Sequence, residues 1–222
     1  MSRPASLVSL VDRALPARQF TRLRRAIEAL GTERLRSSYQ TTFWFDFEQA
    51  PSNLVDAAAL VVRRHLPPGR ARRVVGVEWW LSRMRTSNVK VDFHRDRDNA
   101  LFDETGRTVT PVTSSLLYLT PSVGGLLAVS TAKPNPQAPA CAPDPSTFDV
   151  VEPRPNRFVF FDGRLTHGVL DSRNEVPLRR RPTESAWRIG IAINFWHRRP
   201  QAVPTFTETS YYRALAIGDG PE

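Results

Sequence analysis

What most constrains this chain is a succession of eight short apolar or alternating runs that begins after Arg73: residues 74–84, 89–94, 113–120, 125–130, 148–151, 157–161, 166–171 and 187–196. Gly, Pro, Asn and Asp separate them, which is the pattern of an all-β sandwich or barrel. No helix-period segment interrupts the series. Parallel strands need long crossover connections, usually helical, so a parallel α/β sheet is disfavoured.

Upstream, the apolar positions Leu7, Leu10, Val11 and Leu15, then Phe20, Leu23, Ile27 and Leu30, recur at three to four residues, with Pro16 between the two sets and Gly31 after them. This spacing predicts a helical pair. Residues 39–47 (YQTTFWFDF) alternate and predict a strand, after which Ser52 is placed to cap a helix running to about His65 and stopped by Pro67, Pro68 and Gly69. Residues 1–73 therefore read as a helical layer with one strand, residues 74–196 as a β core and residues 197–222 as a tail packing through Tyr211, Tyr212 and Leu215. A length of 222 residues suits one domain. Residues 131–146, with five prolines, read as a surface loop, and residues 172–185 as a second polar insertion.

A hydrophobic content of 41% excludes a disordered or collagen-like chain. The apolar stretch 54–62 is broken by Asp56 and is far shorter than the ~18 residues a membrane helix needs. Asp12 and Arg13 fall where a secretion signal would carry its apolar region. The lone Cys141 has no disulfide partner or zinc-type companions, and its Pro/Ala-rich surroundings contain no histidine to activate it. The expectation is a soluble cytoplasmic protein. A net charge of +9 raises a polyanionic partner as one reading. Against it, all but Lys90 and Lys133 of the 31 basic residues are arginines, and these are scattered along the chain rather than interleaved with aromatics. Nucleic-acid binding is therefore not expected.

Of the four histidines, His65 closes a helix and His197 follows a strand in a charged run, and both read as surface residues. His94 and Asp96 stand two apart at a strand end, where the period of an extended chain turns both side chains to one side. His167 opens a later run after a turn at Asp162 and Gly163. Two imidazoles and one carboxylate are the ligand set of non-haem Fe(II) oxygenases. A zinc hydrolase with three protein ligands uses the same residue types.

The order of these pieces narrows the choice. An HxD pair after the second β-run is followed by the strand LLYLT, a turn at Gly124 and Gly125, a Pro-rich excursion, RFVFFDGRLTHGV, and Arg188 opening the last strand, WRIGIAINFW. Over about residues 74–196 the sequence resembles the Fe(II)/2-oxoglutarate-dependent oxygenase superfamily. The resemblance implies a mainly β fold, a double-stranded β-helix (jelly-roll) core backed by the N-terminal helices. It further implies His94, Asp96 and His167 as iron ligands, Arg188 as the anchor for the far carboxylate of 2-oxoglutarate, and a helping hydroxyl from Tyr118, Ser115 or Thr113. The cofactors implied are Fe(II), 2-oxoglutarate and O2, with hydroxylation of a small molecule or peptide and release of succinate and CO2.

Two features depart from the family pattern. His167 and Arg188 are 21 positions apart, so residues 172–185 must loop out; otherwise Arg179, Arg180 or Arg181 competes for the anchor role. Leu126 and Leu127 stand where prolyl-hydroxylase-like members often carry an acidic residue. Halogenases of the superfamily lack the metal carboxylate, and here Asp96 supplies it. Nucleic-acid demethylases place a second arginine six residues after the first, and that position is Asn194. The reading from another class is a non-catalytic β-helix binding protein in which HxD is a coincidence. Arg83, Arg85, Arg95 and Arg97 cluster around His94. Either some of them surround the iron site and call for an anionic substrate, or they face solvent and pair with Asp92, Asp98 and Asp103.

Overall fold

The computed structural model describes residues 6–30, 41–85, 91–122, 125–134, 147–170, 187–209, 212 and 215–217. All eight expected runs are strands: β3 (Gly76–Arg85), β4 (Val91–His94), β5 (Thr113–Tyr118), β6 (Leu127–Ser130), β7 (Phe148–Val151), β8 (Arg157–Asp162), β9 (Thr166–Val169) and β10 (Trp187–Trp196). With β1 (Val8–Asp12) and β2 (Phe43–Asp46) they form two antiparallel sheets, one in the order β1-β8-β5-β10-β3-β2 and one in the order β4-β9-β6-β7. This is a mainly β jelly-roll architecture with few helices.

Alternation along the strands sorts the side chains into two layers. On β10, Ile189, Ile191, Ile193 and Phe195 pack with Val77, Trp79 and Leu81 of β3 against helices α1 (Ala17–Ala29) and α2 (Leu54–Arg63), which contribute Leu23, Ile27, Val55, Ala58, Ala59 and Val62. The opposite face of the large sheet packs toward the small one through Leu116, Tyr118, Val159, Phe161 and Ala192, met by Leu127, Val129 and Val151. Each large aliphatic or aromatic side chain buried in this way stabilises the fold by about 1.5–3 kcal/mol.

The first half of the expected helical pair is instead β1. It pairs with β8 from Val8↔Phe161 to Asp12↔Arg157, and the Arg157 guanidinium grips both Asp12 oxygens at 2.7 and 2.9 Å. The run SLVSLVD carries two valines and is too short to nucleate an isolated helix, and the open edge of β8 offers it a ladder. Asn156, at φ 58°, ties the segment after β1 by accepting from Leu15 N and donating to Leu15 O.

The cap of α2 is Asn53 rather than Ser52: its Oδ1 accepts from Val55 N and Asp56 N, while the Ser52 hydroxyl donates to Asp56. Pro68 opens a short helix, α3 (Pro68–Ala71), instead of simply ending α2, because proline is preorganised for a first helical position. A helix not expected from the sequence, α4 (Asn99–Thr105), interrupts the β-runs. Its signals are local: an Asp98 cap on Leu101 N and a left-handed Gly106 at φ 70°.

His65 is not a simple surface residue. It is half-buried, its Nε2 lies 3.0 Å from Ala14 O, and its ring packs against Phe158, whereas His197 is exposed. Tyr212 and Leu215 of the tail are buried. Tyr211, Cys141, Arg179, Arg180, Arg181 and the 172–185 insertion lie outside the described residues. No described helix is long and apolar enough to cross a membrane.

Candidate metal centre and its cavity

His94 closes β4 and is the direct cross-strand partner of His167 on β9. Gly168 makes this close pairing possible: a Cβ there would stand 2.8 Å from Val91 O and 3.2 Å from the Phe93 ring. The two imidazole centres are 4.5 Å apart. Asp96, just past β4, lies between them, with Oδ1 3.5 Å from His94 Nε2 and Oδ2 3.4 Å from His167 Nε2. The three potential ligand atoms fall within 4.8 Å of one another.

The remaining ring nitrogens decide what these groups can do. His94 Nδ1 is 2.7 Å from Asp92 O and His167 Nδ1 is 3.3 Å from Leu165 O. A carbonyl only accepts, so each Nδ1 carries a proton and each Nε2 faces Asp96, donating to it when the imidazole is protonated and offering its lone pair to a metal ion when it is not. The Ser114 hydroxyl donates to Asp96 Oδ2 at 2.6 Å and fixes the carboxylate. Burial disfavours charge at both His94 and Asp96, yet the pairing overcomes it. The Asp96 carboxyl is held well below its ordinary range chiefly by His167 and then His94, and His94 is held above its own by Asp96. Asp96 and His167 side chains are only 10% and 12% exposed, against 43% for His94, so the cluster opens to solvent on the His94 side. Two imidazole nitrogens and one carboxylate converging in this way fit a divalent first-row metal ion.

The cluster lines a cavity of about 690 Å³ between the sheets, a typical ligand-site volume. Its floor is the even-numbered face of β10 and β3, with Arg188, Ala192 and Asn194 on one strand and Glu78, Trp80 and Ser82 on the other. Arg188 is 1% exposed; its Nε donates to Gly125 O, and its Nη2 has no hydrogen-bond partner among the described residues. The buried Tyr118 Oη likewise has none. Burial raises the Tyr118 pKa, and the Arg188 charge opposes the rise. Ser115 reaches the cavity wall, but its hydroxyl donates to Ile193 O. Thr113 is fully buried and does not line the cavity.

Of the arginines expected near His94, Arg95 and Arg97 line the cavity and Arg83 does not; Arg83 stacks on Trp187. Arg95 Nε reaches Thr166 Oγ1 at 3.4 Å, and Arg97 lies 3.5 Å over the Phe102 ring with its Nε on Asn99. Asp98 pairs with Arg198 instead. Sequence reasoning missed Ser114 and Glu78, and noticed Asn194 only as a missing arginine. The signal for Glu78 was present: one acid inside the apolar run VEWWL marks a strand face that is not plain core.

No protein-family model matches the chain, and no curated protein matches it in sequence. Among solved structures it is similar in fold to a prolyl-4-hydroxylase from Pseudomonas putida, at 19% identity over 88% of this chain and 95% of that one, with a TM-score of 0.50. It is also similar to a prolyl 4-hydroxylase from Phytophthora capsici, at 16% identity over 91% of this chain and 62% of that one, with a TM-score of 0.50. The chain therefore has the jelly-roll fold of the prolyl hydroxylases. Within it stands a His-Asp-His cluster.

Proposed function

We propose that this chain is an Fe(II)/2-oxoglutarate-dependent dioxygenase, a single oxygenase domain over residues 1–222, acting in the cytoplasm to hydroxylate a small molecule or peptide. The observation that carries this reading is one cavity holding both the His94, Asp96 and His167 cluster and a buried Arg188 guanidinium whose Nη2 has no partner among the described residues. A cation with a spare donor, buried beside a ligand set of this kind, calls for an anion.

When bound, iron and 2-oxoglutarate supply the oxidative chemistry: decarboxylation to succinate and CO2 coupled to insertion of one oxygen atom of O2 into a substrate C–H bond. The protein orients the participants and excludes water. The carbonyls of Asp92 and Leu165 hold the two Nε2 lone pairs in place, and Ser114 keeps Asp96 from turning away. Arg188 holds the far carboxylate of the cosubstrate. Of the three hydroxyls considered, Tyr118 assists it, because its ring lies 5.2 Å from the Arg188 guanidinium and its Oη has no partner among the described residues, whereas Ser115 donates to Ile193 O and Thr113 sits at the far end of β5, opposite Phe195. Arg95 and Arg97, without a carboxylate partner among the described residues, favour a substrate with an anionic group.

Metal analysis tests the reading. The wild-type chain should hold one Fe(II), and His94→Ala, Asp96→Ala and His167→Ala should each lose it. In the iron-loaded wild type 2-oxoglutarate should raise the melting temperature, and Arg188→Ala should abolish that rise while iron stays. Wild-type iron content in all three ligand variants would refute the assignment, and no iron in the wild type would favour a binding protein without a metal site.

A further inference from the structure

The cavity has a polar side that the metal and cosubstrate leave unused. Asn194 on β10 is the cross-strand partner of Glu78 on β3, and the β10–β5 register that pairs Ala192 with Leu116 and Phe195 with Thr113 sets Asn194 beside Ser114. Ser114, Asn194 and Glu78 thus form one row across three strands, and all three line the cavity. Neighbouring strands are about 4.8 Å apart, so the row extends roughly 10 Å sideways from the strand whose Ser114 holds Asp96. Six residues of β10, about 20 Å of strand, separate this row from Arg188.

Ser114 is engaged with Asp96, whereas Asn194 and Glu78 keep hydrogen-bonding capacity to spare. Asn194 is 1% exposed; its Oδ1 accepts from Ser115 N at 3.4 Å, which fixes the amide orientation and leaves Nδ2 buried without an acceptor among the described residues. An unpaired buried N–H is costly and is seldom retained without a use. Glu78 is half-buried in an apolar strand and makes no ion pair among the described residues. Burial pushes its carboxyl up to about 7, opposed by the Thr42 hydroxyl and reinforced by the Asp96 charge. With the Asn194 donor beside it, its oxygens suit an N–H carried by the same group as the carbonyl that Asn194 would bind.

We propose that Glu78 and Asn194 form a substrate subsite that reads an N–H donor and a carbonyl acceptor lying on one edge, the edge of a primary carboxamide or a lactam ring. Both side chains rise from the same face of adjacent strands, so both point the same way. A trans peptide unit presents its N–H and C=O in opposite directions and satisfies only one of them. Trp80, next along β3 on the same face, gives the ring or chain behind that edge a flat apolar wall. This names a feature of the substrate of the oxygenase reading above, but binding to the subsite needs neither iron nor turnover.

The test is NMR titration of the full chain, without metal, using 2-pyrrolidone as a lactam, with N-methylacetamide as a trans amide and methylammonium as a cation. The lactam should bind most tightly of the three. Asn194→Asp, which keeps the acceptor for Ser115 N, and Glu78→Leu should each weaken it about fivefold or more, the effect of one lost hydrogen bond. Glu78→Gln, which keeps an acceptor, should bind it like the wild type. Equal binding of N-methylacetamide, tighter binding of methylammonium, or lactam binding unchanged in folded Asn194→Asp and Glu78→Leu overturns the subsite. Iron measured on the same samples separates the two ideas. Lactam binding as expected in a chain that takes no iron leaves the subsite standing without the oxygenase, and the reverse result leaves the oxygenase without the subsite.

Discussion

The guanidinium carbon of Arg188 lies 5.2 Å from the centre of the Tyr118 ring, and neither Arg188 Nη2 nor Tyr118 Oη has a hydrogen-bond partner among the described residues. Such an arrangement costs stability in the free protein and is repaid when a carboxylate arrives. Tyr118→Phe should therefore leave the chain without 2-oxoglutarate at least as stable as the wild type, by up to about 1–3 kcal/mol, while weakening 2-oxoglutarate roughly fivefold. Arg188→Ala should weaken it by about 2–5 kcal/mol. Thermal melts with and without 2-oxoglutarate read both effects; a Tyr118→Phe chain that is less stable yet binds normally would show the tyrosine to be plain core.

Ser114 donates to Asp96 Oδ2 at 2.6 Å, a charge-assisted bond at a ligand of the cluster. Ser114→Ala should lower Fe(II) affinity about tenfold or more without unfolding the chain, and Ser114→Thr should restore most of it. An iron titration unchanged in Ser114→Ala would mean that Asp96 is held adequately by the two histidines.

Gly168 permits β4 to approach β9. Gly168→Ala puts a Cβ 2.8 Å from the backbone oxygen of Val91, so strand must move away from strand. The expected result is a loss of about 1–3 kcal/mol in stability together with weaker iron binding, since the same movement parts His94 from His167. Calorimetry and iron titration on one sample check the pair of effects, and loss of one without the other would separate packing from ligand geometry.

Glu78 should reveal itself in the pH dependence of stability. Its folded pKa, about 7, is above the ordinary 4.5, so the folded chain holds this proton more tightly than the unfolded one. Stability from this group is then complete below about pH 4.5 and falls as pH rises toward 7. Glu78→Gln removes the penalty. It should match the wild type in acid and exceed it above neutral pH by about 1–3 kcal/mol, the full shift being reduced by partial exposure. Denaturant curves at both ends of the range measure this, and an equal gain at every pH would point to a cause other than ionisation.

Much of this architecture was readable in advance because strand-forming patterns are local. WRIGIAINFW alternates over its whole length and is β10 from first residue to last. The HxD pair projected to one side because an extended chain requires it, and the cross-strand meeting of His94 with His167 completed the cluster. The misreadings have non-local causes. Val8–Asp12 became a strand because β8 needed a neighbour, which no spacing within residues 7–30 reveals. Ser115 and Tyr118 fall on opposite faces of β5 by alternation alone, but that the Ser115 hydroxyl is taken up by Ile193 O and the Tyr118 ring lies beside Arg188 depends on the neighbouring strand. Asn194 and Glu78 meet through register between strands more than a hundred residues apart in the chain, beyond the reach of a pattern read along one segment.

The most direct test of the central claim is anaerobic difference absorption. Fe(II) and 2-oxoglutarate added together to the wild-type chain should give a visible charge-transfer band that neither gives alone. The band should vanish in His94→Ala, Asp96→Ala and His167→Ala, and in Arg188→Ala it should require far more 2-oxoglutarate to appear. No band in the wild type at saturating Fe(II) and 2-oxoglutarate, or an equal band in all three ligand variants, would contradict the account.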